Sequence, residues 1–98
     1  MLVAPDLDEL RGPTSGVAEL PIRLFWNPDR RFDLDQPWAR RWMYENVLVE
    51  AIRYDELRTW LDRDTLIRDW PELNLPKGVR AAWEQRHPVL QASRTAAA

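Results

Sequence analysis

Two Asp-x-Asp pairs, Asp33-Leu34-Asp35 and Asp62-Arg63-Asp64, are spaced in a way that invites chemistry. Carboxylates two residues apart offer the hard oxygen ligands that Mg²⁺ prefers. Each pair, however, stands just before a stretch of helical periodicity, where Asp is the residue that caps free backbone N–H groups. Arg63 also lies inside the second pair and partly neutralises it. Capping is the expected role, and no metal site is assigned. His87 is the only histidine. Following a helical stretch and preceding Pro88, it is expected at a helix C-terminus, where its charge interacts favourably with the dipole. It is not assigned as a general base. Ser15 and Ser93 fall in the end segments, where a nucleophile has nothing to preorganise it. Gly12…Gly16 is not followed by Lys-Ser/Thr and lacks a strand-to-helix context, so no phosphate loop is present. The absence of cysteine excludes disulfides, thiolate nucleophiles and cysteine-ligated metal. No enzyme and no cofactor are expected from these residues.

Arg30-Arg31 and Arg40-Arg41, with Trp38 and Trp42 between and beside them, form the one cluster with the look of a binding surface. Guanidinium and indole groups together grip phosphates and stack bases. Asp29, Asp33, Asp35 and Glu45 are interspersed among them, so the local field is mixed rather than positive. A solvated helix face with intrahelical ion pairs is one reading. Protein binding is the other, because Trp and Arg are enriched at interface hot spots. The expected partner surface is Arg30, Arg31, Trp38, Arg41, Trp42 and Glu45. Trp26, Trp60, Trp70 and Trp83 fall on faces expected to point inward.

The elements that must position this cluster follow from periodicity and punctuation. Asp35 can cap a helix over about Gln36–Ala51, with Pro37 in its first turn. Tyr44, Val47, Leu48 and Ala51 recur at helical spacing as a buried stripe, with Trp38 and Trp42 on a neighbouring face. The later stripe Leu57/Trp60/Leu61 is out of phase with it, so a break is expected near Ile52–Tyr54, then a short helix at Asp55–Leu61. Asp64 can cap a third helix, Thr65–Trp70, which Pro71 ends. A last helix spans Pro76–Arg86 and stops at His87-Pro88. Upstream, Ala18–Trp26 reads as extended, with Ile22, Leu24 and Trp26 on one face. Asn27-Pro28-Asp29-Arg30 is a turn, and Arg31–Leu34 a short returning strand. The fold class is mainly α: three to four helices with a short N-terminal β-hairpin. Residues 1–19 are expected as a flexible acidic arm, 20–90 as one small globular domain, and 91–98 as a disordered tail.

The chain has 98 residues, 45% hydrophobic and 31% charged, with a formal net charge of −2. The excess negative charge lies in residues 1–19, and residues 20–90 balance, so there is no net field to draw in nucleic acid. Arg supplies 13 of 14 basic residues, which a GC-rich genome explains as well as a demand for planar donors does. No stretch reaches the roughly 20 apolar residues of a membrane span, and MLVAPDLDEL lacks the basic n-region and long apolar run expected of a signal peptide. A cytoplasmic protein with no membrane association is expected. A core of about 70 residues is marginal alone, which six Trp or an obligate partner would offset.

The segments LPIRLFWNPDRRFDLDQP, R..YE.VL and D.L..WLD...L...WPEL.LP..VR.AWE..HP.L resemble a family of short actinobacterial proteins. These are encoded beside nucleotidyltransferase-like toxins of the abortive-infection (AbiEii) type. The resemblance covers about Leu20–Leu90. The family's pattern has Gly at Ile52 and an acidic residue at Ala51, and this chain departs from it at both. The resemblance implies an antitoxin in a toxin–antitoxin system, neutralising its nucleotidyltransferase partner in a stoichiometric complex. The toxin's cleft is then expected to be basic and metal-dependent. Two other non-catalytic functions stay open, and a small metal-dependent enzyme using Asp33 and Asp35 is a third rival. One is a nucleic-acid-binding transcriptional regulator, with helices 55–61 and 64–70 imitating a helix-turn-helix, although Arg68 lies between Asp64 and Asp69 there. The other is a non-catalytic structural or oligomerising module.

Overall fold

Tyr44 is the residue about which the computed structural model, which describes residues 2–97, is built. It lies at the middle of the inward face of α1 (Pro37–Glu50) with Ala39, Met43, Val47 and Leu48. Its hydroxyl accepts a hydrogen bond from Asp62 N at 2.9 Å, at the junction of α2 (Tyr54–Trp60) and α3 (Arg63–Asp69). Burial pushes this phenol up to about 12. A short 3₁₀ turn, Trp70–Glu72, then leads to α4 (Lys77–Arg86) and α5 (Pro88–Ala97).

Helix starts and stops show where local chemistry departs from expectation. Gln36, not Asp35, is the N-cap of α1, and it makes no side-chain cap. Asp33 does the shaping instead: its Oδ1 accepts from Asp35 N at 3.0 Å and its carbonyl from Gln36 N at 3.0 Å. Asp62, not Asp64, caps α3, accepting from Thr65 N at 3.0 Å and Thr65 Oγ1 at 2.9 Å. Pro71 sits inside the 3₁₀ turn, whose tighter winding lets the chain run one step past it.

The break after α1 needs no glycine. Glu56 folds back so that Oε1 accepts from Ile52 N at 2.9 Å and Arg53 N at 3.1 Å. Its other oxygen receives both Nε and Nη2 of Arg23. Desolvation raises the Glu56 carboxyl, but the Arg23 and backbone hydrogen bonds outweigh it and leave the group below its ordinary value.

The hairpin is there, but it is not tight. β1 (Val17–Glu19) pairs antiparallel with β2 (Arg31–Asp33) in the register Val17↔Asp33, Ala18↔Phe32, Glu19↔Arg31. Only Ala18 and Phe32 face the core. Residues 20–30 are a loop, not the tail of a strand. Leu24 N donates to Pro21 O at 3.0 Å, a turn that destroys the alternation expected for Ile22, Leu24 and Trp26. Leu24 is buried, whereas Ile22 and Trp26 are exposed.

Both end segments are more structured than expected. Residues 2–12 lie against the helices: Ala4, Leu7 and Leu10 are buried, and Asp6 caps a 3₁₀ turn at Leu7–Glu9. Arg11 N donates to Arg58 O at 2.9 Å and Gly12 N to Leu61 O at 2.8 Å. Gly12 passes so close that a Cβ would stand 2.5 Å from the Trp60 carbonyl carbon, and no side chain fits there. Residues 88–97 form α5 instead of a loose tail, which makes five α-helices among the described residues. Ser93 Oγ donates to Ile67 O at 2.6 Å, and Arg94 pairs with Glu84 at 2.7 Å. Met1 and Ala98, the outermost residues of the two segments expected to be loose, lie outside the described residues.

The interior is completed by Trp70 and Trp83, both fully buried. Trp70 Nε1 donates to Glu84 Oε2 at 2.9 Å, and the Arg80 guanidinium lies over its ring at 5.1 Å. The Arg94 hydrogen bond, against a smaller desolvation effect, holds the Glu84 carboxyl below its ordinary value. His87 is the C-cap of α4, and its Nε2 is 2.6 Å from Ala4 O, which joins the two ends of the chain.

Removing the phenolic oxygen in Tyr44→Phe should lower stability by about 1–3 kcal/mol in urea unfolding, because Asp62 N–H loses its acceptor. The depressed Glu56 and Glu84 carboxyls bind protons less readily folded than unfolded. Their stabilisation is complete above the ordinary value of 4.5 and is lost as pH falls from there through the lower folded values. Urea midpoints should therefore be level near neutrality and decline below about pH 5, with a shallower decline in Glu84→Gln.

Candidate protein-binding surface

Helical phase sends one face of α1 inward and leaves the opposite face uncovered. Trp38, Trp42, Glu45 and Val49 follow one another at intervals of four, three and four residues, the spacing of a helix seam. Trp38 is 65% exposed, Trp42 44% and Val49 43%. Ile52, in the break beyond α1, is also exposed and lines a depression together with Val49. Trp42 is partly supported from beneath, its ring meeting Phe25 at 5.2 Å and Phe32 at 5.6 Å, both edge-on.

The loop after β1 extends this surface. Ile22 and Trp26 are exposed, and with Phe25, Asn46 and Glu50 they line a groove of about 200 Å³ alongside α1. Trp26, expected in the core, is 82% exposed. Trp60, expected there too, is half-buried, while Trp70 and Trp83 are inside as expected.

The six residues expected at a partner surface divide. Trp38, Arg41, Trp42 and Glu45 share the outer side of α1. Arg41 is half-buried, with its Nε 3.9 Å from Asp69 Oδ1. Glu45 accepts from Asn74 N at 2.7 Å, so it anchors the segment before α4 as well as lying on the surface. Arg30 and Arg31 are not brought into the stripe. Arg30 Nε donates to Leu20 O at 3.0 Å and ties together the two ends of the loop between the strands. Arg31 pairs with Asp29 at 3.4 Å. Strand alternation also places it on the side of β2 opposite Phe32, whose ring meets Trp42.

Sequence reasoning missed Ile22, Trp26, Val49 and Ile52 as surface residues. The spacing 38–42–45–49 was a readable signal for Val49. The exposure of Ile22 and Trp26 depends on a turn that nothing but Pro21 announces.

Asp62 spends a side-chain oxygen on capping α3, and Asp33 spends one on Asp35 N in the turn before α1. Among the described residues no three His, Asp or Glu side chains gather as metal ligands would. No helix of the described chain is long and apolar enough to cross a membrane.

No protein-family model matches this chain, and no curated protein or solved structure does either.

Acrylamide quenching should separate the indoles by place. Replacing Trp26 and Trp38 with Phe should remove most of the readily quenched emission, whereas Trp70 and Trp83 should supply the protected fraction.

Proposed function

We propose that this chain is a non-catalytic protein-binding module of the cytoplasm, which neutralises a nucleotidyltransferase-type toxin by forming a stoichiometric complex with it. The observation that carries the binding role is the row of uncovered apolar side chains along α1, from Trp38 and Trp42 to Val49 and Ile52, widened by Ile22 and Trp26. Scattered apolar residues on a surface need no explanation. A contiguous set with three indoles does, because such patches on small proteins mark interaction sites. Trp at the centre of an interface supplies a large area of burial at little entropic cost and is the residue type most enriched at hot spots.

The toxin as partner comes from the resemblance over Leu20–Leu90 and from nothing else. It is compatible with the chemistry: the buried carboxylates hold the fold together, and the side chains left outside bind.

Trp38→Ala with Trp42→Ala should weaken the complex by a few kcal/mol. Co-expression of the chain with a nucleotidyltransferase-type toxin, followed by growth rescue and calorimetric titration, tests this. Rescue and affinity unchanged by the double substitution would remove the assignment of this face.

A further inference from the structure

Three guanidinium groups converge on a single buried carboxylate. Asp69 is only 3% exposed, and Arg40 takes both its oxygens, Nε to Oδ2 at 2.5 Å and Nη2 to Oδ1 at 2.9 Å. That fork satisfies Asp69 and holds the Arg40 charge firmly, its hydrogen bond to Asp69 raising the guanidinium above its ordinary value. Arg41 and Arg68 are left over. Each has its Nε near Asp69 Oδ1, at 3.9 Å and 3.8 Å, too far for a hydrogen bond. Among the described residues neither has another carboxylate within ion-pair distance. Arg41 Nε is moreover buried with no hydrogen-bond partner there. The result is a local excess of positive charge, partly desolvated, one helical turn from the exposed Trp38 ring.

We propose that the Arg41–Arg68 pair beside Trp38 is a docking point for a carboxylate carried on an amphipathic helix of a partner protein. The inference rests on the protein-binding reading above and states the chemistry of the partner at that face. Charge complementarity selects an acidic group, since two guanidinium groups sharing one already occupied carboxylate are satisfied by another. The seam Trp38, Trp42, Glu45, Val49 selects a helix, whose own apolar residues at intervals of three and four would lie along it. A nucleic acid fits less well. Polyanions need an extended run of cations, and Asp33, Asp35 and Glu72 are exposed on the segments that flank this spot. A second copy of the chain fits less well too. The acidic side chain that this seam itself carries is Glu45, already engaged with Asn74 N.

The probe is a synthetic helical peptide with a Leu stripe at intervals of three and four and one Glu on its flank. Its counterpart has Gln in place of that Glu. Binding is read by tryptophan fluorescence and calorimetry. The Glu peptide should bind about tenfold more tightly than the Gln peptide at low salt, and Arg68→Gln should abolish the difference. Arg68 is largely exposed, so its replacement leaves the fold intact. Arg68→Glu should prefer a Lys peptide, and Arg41→Gln serves as the second variant. Equal affinity for the two peptides, or no binding, would overturn the proposal. So would tighter Arg68-dependent binding of a single-stranded RNA of equal charge, or sedimentation showing the face occupied by a second copy. If a nucleotidyltransferase-type toxin binds through Trp38 and Trp42 but ignores Arg68→Glu, this inference fails and the protein-binding reading stands. If the Trp pair is also without effect, the binding face itself is wrong.

Discussion

Three nearly sealed carboxylates, Glu56, Asp69 and Glu84, set the geometry of this protein. Each receives an Arg from another element: Arg23 on Glu56 and Arg40 on Asp69 from far along the chain, and Arg94 on Glu84 from the next helix. Burying a charge costs several kcal/mol, and attraction to the partner recovers this only when the remaining lone pairs are also hydrogen-bonded. Here they are. Glu56 adds two backbone N–H groups, Glu84 adds the Trp70 indole, and Asp69 takes both prongs of one guanidinium. The net contribution of such pairs is small, but for Arg40–Asp69, where both side chains are largely buried, removing one partner costs about 3–5 kcal/mol because a bare charge remains. They therefore act chiefly by penalising every arrangement that separates them.

That penalty matters because the helices are short. α2 and α3 have seven residues each, well below the length at which a helix holds in water by itself. Their fully buried apolar side chains, Leu57 and Leu66, are few. Tyr44 and the carboxylates supply direction where apolar contact alone would leave the short helices free to slide. Glu56 fixes the angle between α1 and α2, Asp69 pins α3 to α1, and Glu84 draws α5 and the 3₁₀ turn onto α4. With the inner side of α1 so thoroughly used, its outer side is free to carry Trp38, while Trp42 and Glu45 on that side still touch the fold through Phe25, Phe32 and Asn74 N.

Period and punctuation made the helical part of this structure legible. The α1 stripe, the break at Ile52 and the stop at His87-Pro88 all follow from spacing and from proline. What escaped notice has a common physical origin: it depends on contacts between residues far apart in the chain. Leu7, Leu10 and Leu90 carry too little local periodicity to announce that residues 2–12 and 88–97 pack, because what holds them is the surface they meet. Asp64 was expected to cap α3 and Asp62 does so, two residues earlier, whereas neither member of the Asp33/Asp35 pair caps α1. The exposure of Trp26 was illegible because Leu24 N finds Pro21 O, and that turn breaks the alternation that would put Trp26 on the side of buried Leu24. Of the expected partner surface, helical phase made the outward placement of Trp38 and Trp42 on α1 readable. The placement of Arg30 was not readable, because it bridges to Leu20 O across a loop whose path the sequence does not state.

The excess charge on the outer side follows from the way the clamp was built. Arg40 and Asp69 had to be buried together to join α1 to α3. Arg41 follows the first in sequence and Arg68 precedes the second, so the neighbours of both clamp residues are carried to the same place. Their being Arg rather than Lys says little in a chain with 13 Arg among 14 basic residues. Their being charged says more. A neutral side chain at position 41 or 68 would relieve the crowding about Asp69 and leave Arg40's fork intact. Two further cations beside a satisfied ion pair add repulsion to the isolated fold. Solvent screens that repulsion at Arg68, which is 65% exposed, but least at the Arg41 Nε, which is buried without a hydrogen-bond partner among the described residues, so that is where an anion arriving from outside would relieve most.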